Sequence, residues 1–194
     1  MSRLTLADIA DLRAYERERD GFRAEIIALK KRRRVGVGPV VTFLFENRDN
    51  VRFPIQEMAR AERMLTDEAI AHEVDTYNEL IPDDGELSAT MFVELTDDAK
   101  LREWLPKLIG IQRAVRFELG AEGHPVPAVP EDEERLTRDD ITTTVHYLKF
   151  RFDPRERATL AFGPARLVVD HPEYRASVEL SEAQRAELVR DFSE

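Results

Sequence analysis

The second half of the chain shows one order of patterns twice: a strand, a helix and two further strands. The first copy spans residues 86–135, and the second spans residues 141–194, where a closing helix follows it. In both copies an aspartate precedes the helix, a glycine follows it, and a His-Pro pair separates the last two strands. Because such units cover their apolar faces by stacking, the order predicts two βαββ repeats joined by the linker EDEERLTRDD.

This order also constrains the fold class. With about eight strands and four or five helices that do not alternate strictly, the pattern favours α+β over a doubly wound parallel sheet. We expect the repeats to form a mixed, mostly antiparallel sheet with helices on one face, and a small barrel is the alternative. The length of 194 residues suits a single domain.

The first half supplies the remaining segments of this domain. Residues 1–34 show two N-terminal helices, at about 6–17 and 22–33, with Gly21 between them. Within residues 35–85, alternating residues predict a β-hairpin with its turn at Asn47–Asn50. The following stretch predicts one long central helix from Phe53 to Pro82, and its apolar stripe contains Ile55, Met58, Leu65, Ala69 and also Glu62.

The composition excludes several classes of function. The chain has no cysteine, so iron–sulfur centres and Cys-ligated zinc cannot come from this chain alone. The net charge of -10 argues against a general nucleic-acid binder, although Lys30–Arg34 are five consecutive cations, which also suit the end of a helix. No apolar run approaches the ~18 residues of a spanning helix, and no signal peptide is evident, so we expect a cytoplasmic protein.

Polar residues at both ends of the long helix are candidate ligand-binding residues. At its start, free backbone N–H groups attract anions and two arginines could add paired donors. The alternative is an Arg-Glu network that ties this helix to the sheet. At its end, a hydroxyl and an amide precede a proline, which helix termination also explains. The candidates are Gln56, Glu57, Arg60, Arg63, Tyr77 and Asn78.

A metal site of histidine and carboxylate ligands is a second hypothesis. Glu62 and His146 both fall on apolar faces, where a polar group needs a partner. We expect His171 to be the third ligand, with Tyr77 or Tyr174 nearby. For His146 the alternative is a core histidine with satisfied hydrogen bonds, and for His171 it is turn geometry before a proline. A di-iron ligand array on the long helix is excluded by its spacing.

Several segments, in order, resemble one bacterial family: KKRRRVGVGPVVTFLFENRDNVRFPIQEMARAER, YNELIP, LSATMFVEL, VHYLKFRF and VVDHPEY. The family is called domain of unknown function 3501, and the resemblance covers nearly the whole chain. Its members tend to be encoded beside rubrerythrin-like proteins and iron–sulfur oxidoreductases, so the resemblance implies a redox-associated accessory role. The matching residues are Gln56, Glu57, Met58, Arg60, Glu62, Tyr77, Asn78, His146, His171 and Tyr174.

Two functional hypotheses follow. The first is a non-enzymatic interaction protein that docks through its segregated charges onto a rubrerythrin-like or iron–sulfur partner, and a homodimer would suit a repeat sheet. The second is a His/carboxylate metal-binding or small-anion-binding protein, which leaves an enzyme open. Neither hypothesis names a substrate.

Overall fold

The computed structural model describes residues 1–95, 97–131 and 141–192. Its helices are α1 (Leu12–Arg33), α2 (Arg48–Ala61), α3 (Asp67–Asn78), α4 (Asp98–Trp104), α5 (Pro154–Phe162) and α6 (Glu182–Val189). Short 3-10 helices span Leu6–Asp8, Ile111–Arg113 and Arg190–Phe192. The strands are β1 (Arg34–Val37), β2 (Val41–Glu46), β3 (Glu86–Val93), β4 (Val115–Leu119), β5 (His124–Glu131), β6 (Val145–Arg151), β7 (Ala165–His171) and β8 (Tyr174–Glu179). The predicted α+β class is confirmed.

The strands form one antiparallel sheet that nearly closes on itself. Their order is β1-β2-β3-β6-β5-β4-β7-β8, and each neighbouring pair is antiparallel. The two outer strands meet at one point, where the Tyr174 hydroxyl donates a hydrogen bond of 2.5 Å to the Val37 carbonyl oxygen. The sheet is therefore closer to the small barrel than to the open sheet with helices on one face.

Side chains fill the interior of this barrel. Alternation along each strand points apolar residues inward, and three phenylalanines meet at the centre: Phe117 lies 4.8 Å from Phe150 and 5.8 Å from Phe45 between ring centroids. Leu108 and Ile111, from the connection between β3 and β4, are fully buried in the same core. From the opposite end of the strands, α5 and α6 contribute Leu160 and Leu188. The interior is therefore a packed core.

The N-terminal region is one helix rather than the two that were predicted, because α1 continues through Gly21. A glycine inside a helix costs about 1 kcal/mol relative to alanine. Packing offsets this cost: the Phe22 ring lies 6.3 Å from Tyr15 and 5.9 Å from Phe53 of α2. Both α1 and α2 lie outside the barrel.

The predicted hairpin turn at Asn47–Asn50 is wrong. The turn of the β1–β2 hairpin lies at residues 38–40, and Asn47 begins a helix instead. The Asn47 side chain accepts a hydrogen bond from the Asn50 backbone N–H, and the Asn50 side chain accepts one from the Asn47 N–H. Asparagine suits both helix caps and turns, so the residues alone did not distinguish the two.

The prediction of one long central helix is also wrong, because α2 and α3 are separate helices. α2 ends at Ala61, and Arg63 then adopts a left-handed backbone conformation with a φ of 51°. Thr66 caps α3 by accepting a hydrogen bond from the Ala69 N–H. The break disrupts the predicted stripe, so that Leu65 is 82% exposed. Thr66 followed by two acidic residues is the helix-start signal that explains the break.

The order strand, helix, strand, strand occurs twice, as β3-α4-β4-β5 and as β6-α5-β7-β8. The two His-Pro pairs, however, are not equivalent: His124 follows its turn as the first residue of β5, whereas His171 precedes its turn as the last residue of β7. The internal duplication stays a prediction, and most of its linker, residues 132–140, lies outside the described residues. The closing helix begins as predicted, with Ser181 and Gln184 forming a capping box.

None of the helices within the described ranges combines the length and the apolar composition needed to cross a membrane.

Candidate ligand-binding groove

Two of the predicted ligand-binding residues hold the N-terminal segment in place. The buried Gln56 side chain accepts a hydrogen bond from the Ala10 N–H at 3.0 Å and donates one to the Ala10 carbonyl oxygen at 2.8 Å. The Asn78 side chain pairs in the same way with Leu4, at 2.8 and 2.9 Å. Because each amide is occupied on both sides by backbone, neither faces an anion pocket.

Glu57 and Arg60 belong to an ion-pair network. Glu57 accepts two hydrogen bonds from the Arg19 guanidinium, both at 2.8 Å, and one from the Tyr15 hydroxyl at 2.6 Å. Arg60 donates to Glu16 at 2.6 Å. The hydrogen bonds from Arg19 lower the pKa of Glu57 to about 2, against the opposing effect of burial. The Arg-Glu network is therefore real, but it ties α2 to α1 and not to the sheet.

Arg63 lies apart from these residues. It is exposed in the connection between α2 and α3. The structure therefore does not bring these four residues together in a pocket: Glu57 and Arg60 bind α1, Gln56 binds the N-terminal segment, and Arg63 faces solvent.

The predicted metal ligands do not come together. Glu62 is exposed at the C-terminal cap of α2. His171 uses both ring nitrogens locally: Nε2 lies 3.0 Å from the Ile109 carbonyl oxygen, and Nδ1 accepts a hydrogen bond from the Glu173 N–H. Within residues 1–95, 97–131 and 141–192, no three histidine or carboxylate side chains are grouped closely enough to hold a metal ion.

His146 is buried inside the barrel at the start of β6. Its Nε2 lies 3.1 Å from the Thr142 hydroxyl and 3.2 Å from the Thr143 carbonyl oxygen. His146 thus matches the alternative given in the sequence analysis, a core histidine with satisfied hydrogen bonds. Tyr174, also named as a neighbour of the metal, instead joins the two outer strands of the sheet.

The run of five cations does not form a free basic surface. Arg33 is 1% exposed and bonds to the C-terminal segment, Arg32 pairs with Glu187 at 3.1 Å, and Arg34 pairs with Glu94. The Lys30 ammonium lies 5.5 Å from the centre of the Phe53 ring. The positive charge expected for partner docking is thus largely used within the fold.

One cavity of the described surface lies between α3 and the outer face of the sheet. It has a volume of about 320 Å³, and we call it the Tyr77–Tyr147 groove after the two rings that line it. Tyr77 comes from α3, and Tyr147 comes from β6 beside Glu131 of β5. Ser88 of β3 lies opposite Lys149 of β6 and also lines the groove. Ligand sites commonly have volumes of about 300–1,000 Å³.

Alternation in the strands explains how these side chains reach the groove. In β6, His146 and Leu148 point into the barrel, so Tyr147 and Lys149 point outward. In β3, Leu87 and Ala89 are buried in the core, so Ser88 points outward beneath α3. The helix therefore covers a polar row of the sheet.

Three hydroxyl groups in the groove have no partner within the described part of the chain. Ser88 is only 3% exposed, yet its hydroxyl makes no hydrogen bond there. The hydroxyls of Tyr77 and Tyr147 are likewise free of described hydrogen bonds. Burial raises the pKa of Tyr77, and Glu73 and Tyr147 raise it further. The phenol is thus held in its neutral form, which donates a hydrogen bond.

Charged groups surround these hydroxyls. Glu73, Glu79 and Glu131 line the groove together with Lys149. The Lys149 ammonium lies 3.9 Å from Glu86, which also accepts a hydrogen bond from Arg151 at 2.8 Å. A second depression of about 460 Å³ adjoins the groove and shares Glu79, Glu131 and Lys149 with it.

The groove has the chemistry of a binding site. Within the described residues, the Ser88 hydroxyl makes no hydrogen bond to a histidine, a lysine or a carboxylate that would act as its base. Hydroxyl, carboxylate and aromatic groups instead offer hydrogen bonds, charge and ring faces to a ligand.

Sequence reasoning named Tyr77 but missed Ser88, Glu131, Tyr147 and Lys149. The available signal was the outward face of β6, where Tyr147 and Lys149 alternate with inward residues. The polar Ser88 in an otherwise buried strand was a second signal. Neither signal shows that α3 crosses this face, because that contact depends on the tertiary structure.

Comparison with known proteins identifies a family and a solved structure of similar fold. A family model described as "Protein of unknown function (DUF3501)" matches residues 3–192. One match is the crystal structure of a novel protein of unknown function from Burkholderia pseudomallei K96243, and the sequence of that protein is 32% identical to this chain. The match has a TM-score of 0.89 and covers 98% of this chain and 99% of that chain. No curated protein matches the chain.

Proposed function

The chain belongs to the DUF3501 family of proteins of unknown function, and from its groove we propose that it binds a small polar organic molecule. The observation that carries this proposal is Ser88, a residue that is 3% exposed and lines the groove, and whose hydroxyl lacks a hydrogen-bond partner within the described residues. A hydroxyl that opens onto a groove can bond to a ligand placed there, and a hydrogen bond of this kind contributes about 0.5–1.5 kcal/mol.

The rest of the groove supports the same proposal. The Tyr77 and Tyr147 hydroxyls are available at its walls, and Leu80 adds an apolar surface. A few polar groups set among aromatic and apolar side chains are typical of small-molecule sites. The packed core of the barrel offers no comparable space, because phenylalanine rings fill its centre.

The proposal can be tested by blocking the groove. Thr76 lines it from the exposed face of α3, so a Thr76→Trp substitution places an indole across the opening. Ala24 is equally exposed on α1 and lines none of the described cavities, so Ala24→Trp is the matched control. Circular dichroism would establish that both variants fold.

A fragment library screened by ligand-observed NMR provides the readout. We expect fragments that bind the unmodified protein to lose binding in Thr76→Trp and to keep it in Ala24→Trp. Equal binding to both variants, or no fragment bound by the unmodified protein, would contradict a ligand site in the groove.

We also propose, from the family resemblance rather than from the groove, an accessory role in a redox system. The chain has no cysteine, so an iron–sulfur centre in such a system would belong to a rubrerythrin-like or iron–sulfur oxidoreductase partner. Affinity purification of the chain from its native host tests this role. Recovery of such a partner supports the role, and its absence at native expression levels counts against it.

A further inference from the structure

We propose that the ligand of the Tyr77–Tyr147 groove is an aliphatic organic cation that carries more than one ammonium group. This inference rests on the proposed binding function and adds the charge class of the ligand. It is carried by the carboxylates around the groove, by the positions of the two tyrosine rings, and by the internal pairing of the nearby cations.

The acidic groups of the groove are available to a ligand. Glu73, Glu79 and Glu131 line it, and none of the three forms an ion pair or a hydrogen bond through its side chain within the described residues. Ammonium groups make strong charge-assisted hydrogen bonds to carboxylates, so these three side chains are suited to bind a cation.

The two cations that line the groove or its adjoining depression, among the described residues, are already paired. Lys149 lies 3.9 Å from the buried Glu86. Arg3, in the adjoining depression, pairs with Asp83 at 2.6 Å and donates a hydrogen bond to the Ile81 carbonyl oxygen at 3.0 Å. Within the described residues, an anionic ligand in the groove would therefore meet three carboxylates without partners and only cations that already have one.

The aromatic rings also favour a positively charged ligand. Tyr77 and Tyr147 line the groove beside Glu73, which influences the pKa of Tyr77. A cation over the face of such a ring gains about 0.5–2 kcal/mol. The methylene groups of an aliphatic amine would pack against the rings and Leu80.

The adjoining depression extends the acidic lining. It shares Glu79 and Glu131 with the groove and adds Asp75. One ammonium group would leave part of this lining without a partner, whereas a diamine or triamine places a second charge along it. This is the reason to infer a ligand with several ammonium groups.

Three five-carbon compounds provide the test, because they differ only in their end groups: 1,5-diaminopentane, 1,5-pentanediol and glutarate. Each would be titrated calorimetrically into the full chain without a tag, at low ionic strength. We expect the diamine to bind and the other two to show no heat of binding. Added salt should weaken binding of the diamine, because screening reduces interactions between charges near the surface.

Substitutions place the binding in the groove. Glu131→Gln removes one carboxylate, and Tyr147→Leu removes one ring while keeping an apolar side chain. Each should weaken binding of the diamine by about tenfold, the change that accompanies about 1.4 kcal/mol. Glu25→Gln, at an exposed site on α1, is the matched control and should leave binding unchanged.

The outcomes separate this inference from the proposed function. If the diol or glutarate binds and Thr76→Trp abolishes that binding, the inference of a cationic ligand is overturned, but the groove remains a ligand site. Diamine binding that Glu131→Gln and Thr76→Trp both leave unchanged would overturn the cation site in this groove. If none of the three compounds binds but the NMR fragments do, the inference of a cationic ligand is overturned and the proposed binding function stands.

Discussion

Gly38 lies where the two ends of the sheet approach each other. It has a φ of 71°, in the left-handed region, and a Cβ atom there would lie 2.5 Å from the Tyr174 hydroxyl and 2.8 Å from the Ala176 Cβ. Glycine therefore permits both the turn of the β1–β2 hairpin and the hydrogen bond from Tyr174 to Val37. Gly36, two residues earlier, has no atom within 4 Å of such a Cβ.

We predict that Gly38→Ala destabilises the protein by about 2–4 kcal/mol, from the left-handed backbone and the steric overlap together. Gly36→Ala should change the free energy of unfolding by less than about 1 kcal/mol. Urea denaturation of both variants measures the difference. Equal effects of the two substitutions would show that the seam between β1 and β8 tolerates a side chain.

Residue-level reasoning from the sequence identified important polar residues but not their partners. Gln56 and Asn78 were predicted as ligand-binding residues from their places at the two ends of the predicted long helix, and both side chains make hydrogen bonds. Their partners, Ala10 and Leu4, lie 46 and 74 residues away in the chain. No local spacing encodes contacts at that separation, which is why a ligand was inferred where the N-terminal segment binds.

At the scale of elements, local signals predicted some helices and strands better than others. The closing helix was predicted correctly because Ser181 and Gln184 form a local capping box. The extent of α1 was not predicted correctly, because the continuity of this helix through Gly21 depends on aromatic packing against Phe53 of α2. The barrel remained only an alternative, since closure depends on β1 meeting β8. The division of a single domain into four segments stays a prediction.

The contact between α1 and α2 gives a pH-dependent stability. Glu57 has a pKa of about 2 in the folded chain, lowered from 4.5 chiefly by hydrogen bonds from Arg19. A carboxyl group with a lowered pKa stabilises the fold above its unfolded pKa, and this contribution is lost as the pH falls toward the folded value. The window therefore runs from 4.5 down to about 2.

We predict that Glu57→Gln lowers the free energy of unfolding at neutral pH by about 1–3 kcal/mol. The difference from the unmodified protein should shrink as the pH falls below 4.5, the ordinary pKa of this group. Glu62→Gln, at the exposed end of the same helix, is the control variant. Denaturation curves across this pH range test the prediction, and a difference that does not vary with pH would refute it.

At the scale of the whole molecule, Arg33 joins three regions. Its side chain is 1% exposed and donates hydrogen bonds to the Phe45 carbonyl oxygen at 2.8 Å and to the Glu46 carbonyl oxygen at 3.2 Å. It also pairs with Asp191, which is 2% exposed, near the C-terminus. A buried charge needs such partners, because water no longer solvates it. Arg33 therefore connects α1, β2 and the last 3-10 helix.

We predict that Arg33→Met costs about 3–5 kcal/mol, because it removes the buried guanidinium that pairs with the buried Asp191. Arg32 is the control: its side chain is 55% exposed and pairs with Glu187, so Arg32→Met should cost less than about 1 kcal/mol. Chemical denaturation compares the two variants. A cost for Arg33→Met as small as that for Arg32→Met would mean that the C-terminal segment does not depend on this ion pair.

The near-closure of the sheet also affects synthesis of the chain. The hydrogen bond that joins its outer strands links Val37 and Tyr174, which are 137 residues apart, and Arg33 and Asp191 are 158 residues apart. Contacts between such distant residues make folding slow. A chain still emerging from the ribosome must hold β1 with its outer edge uncovered until β8 has been added. The Tyr174 side chain of β8 then covers the Val37 end of β1, and this contact limits the pairing of that edge with other chains.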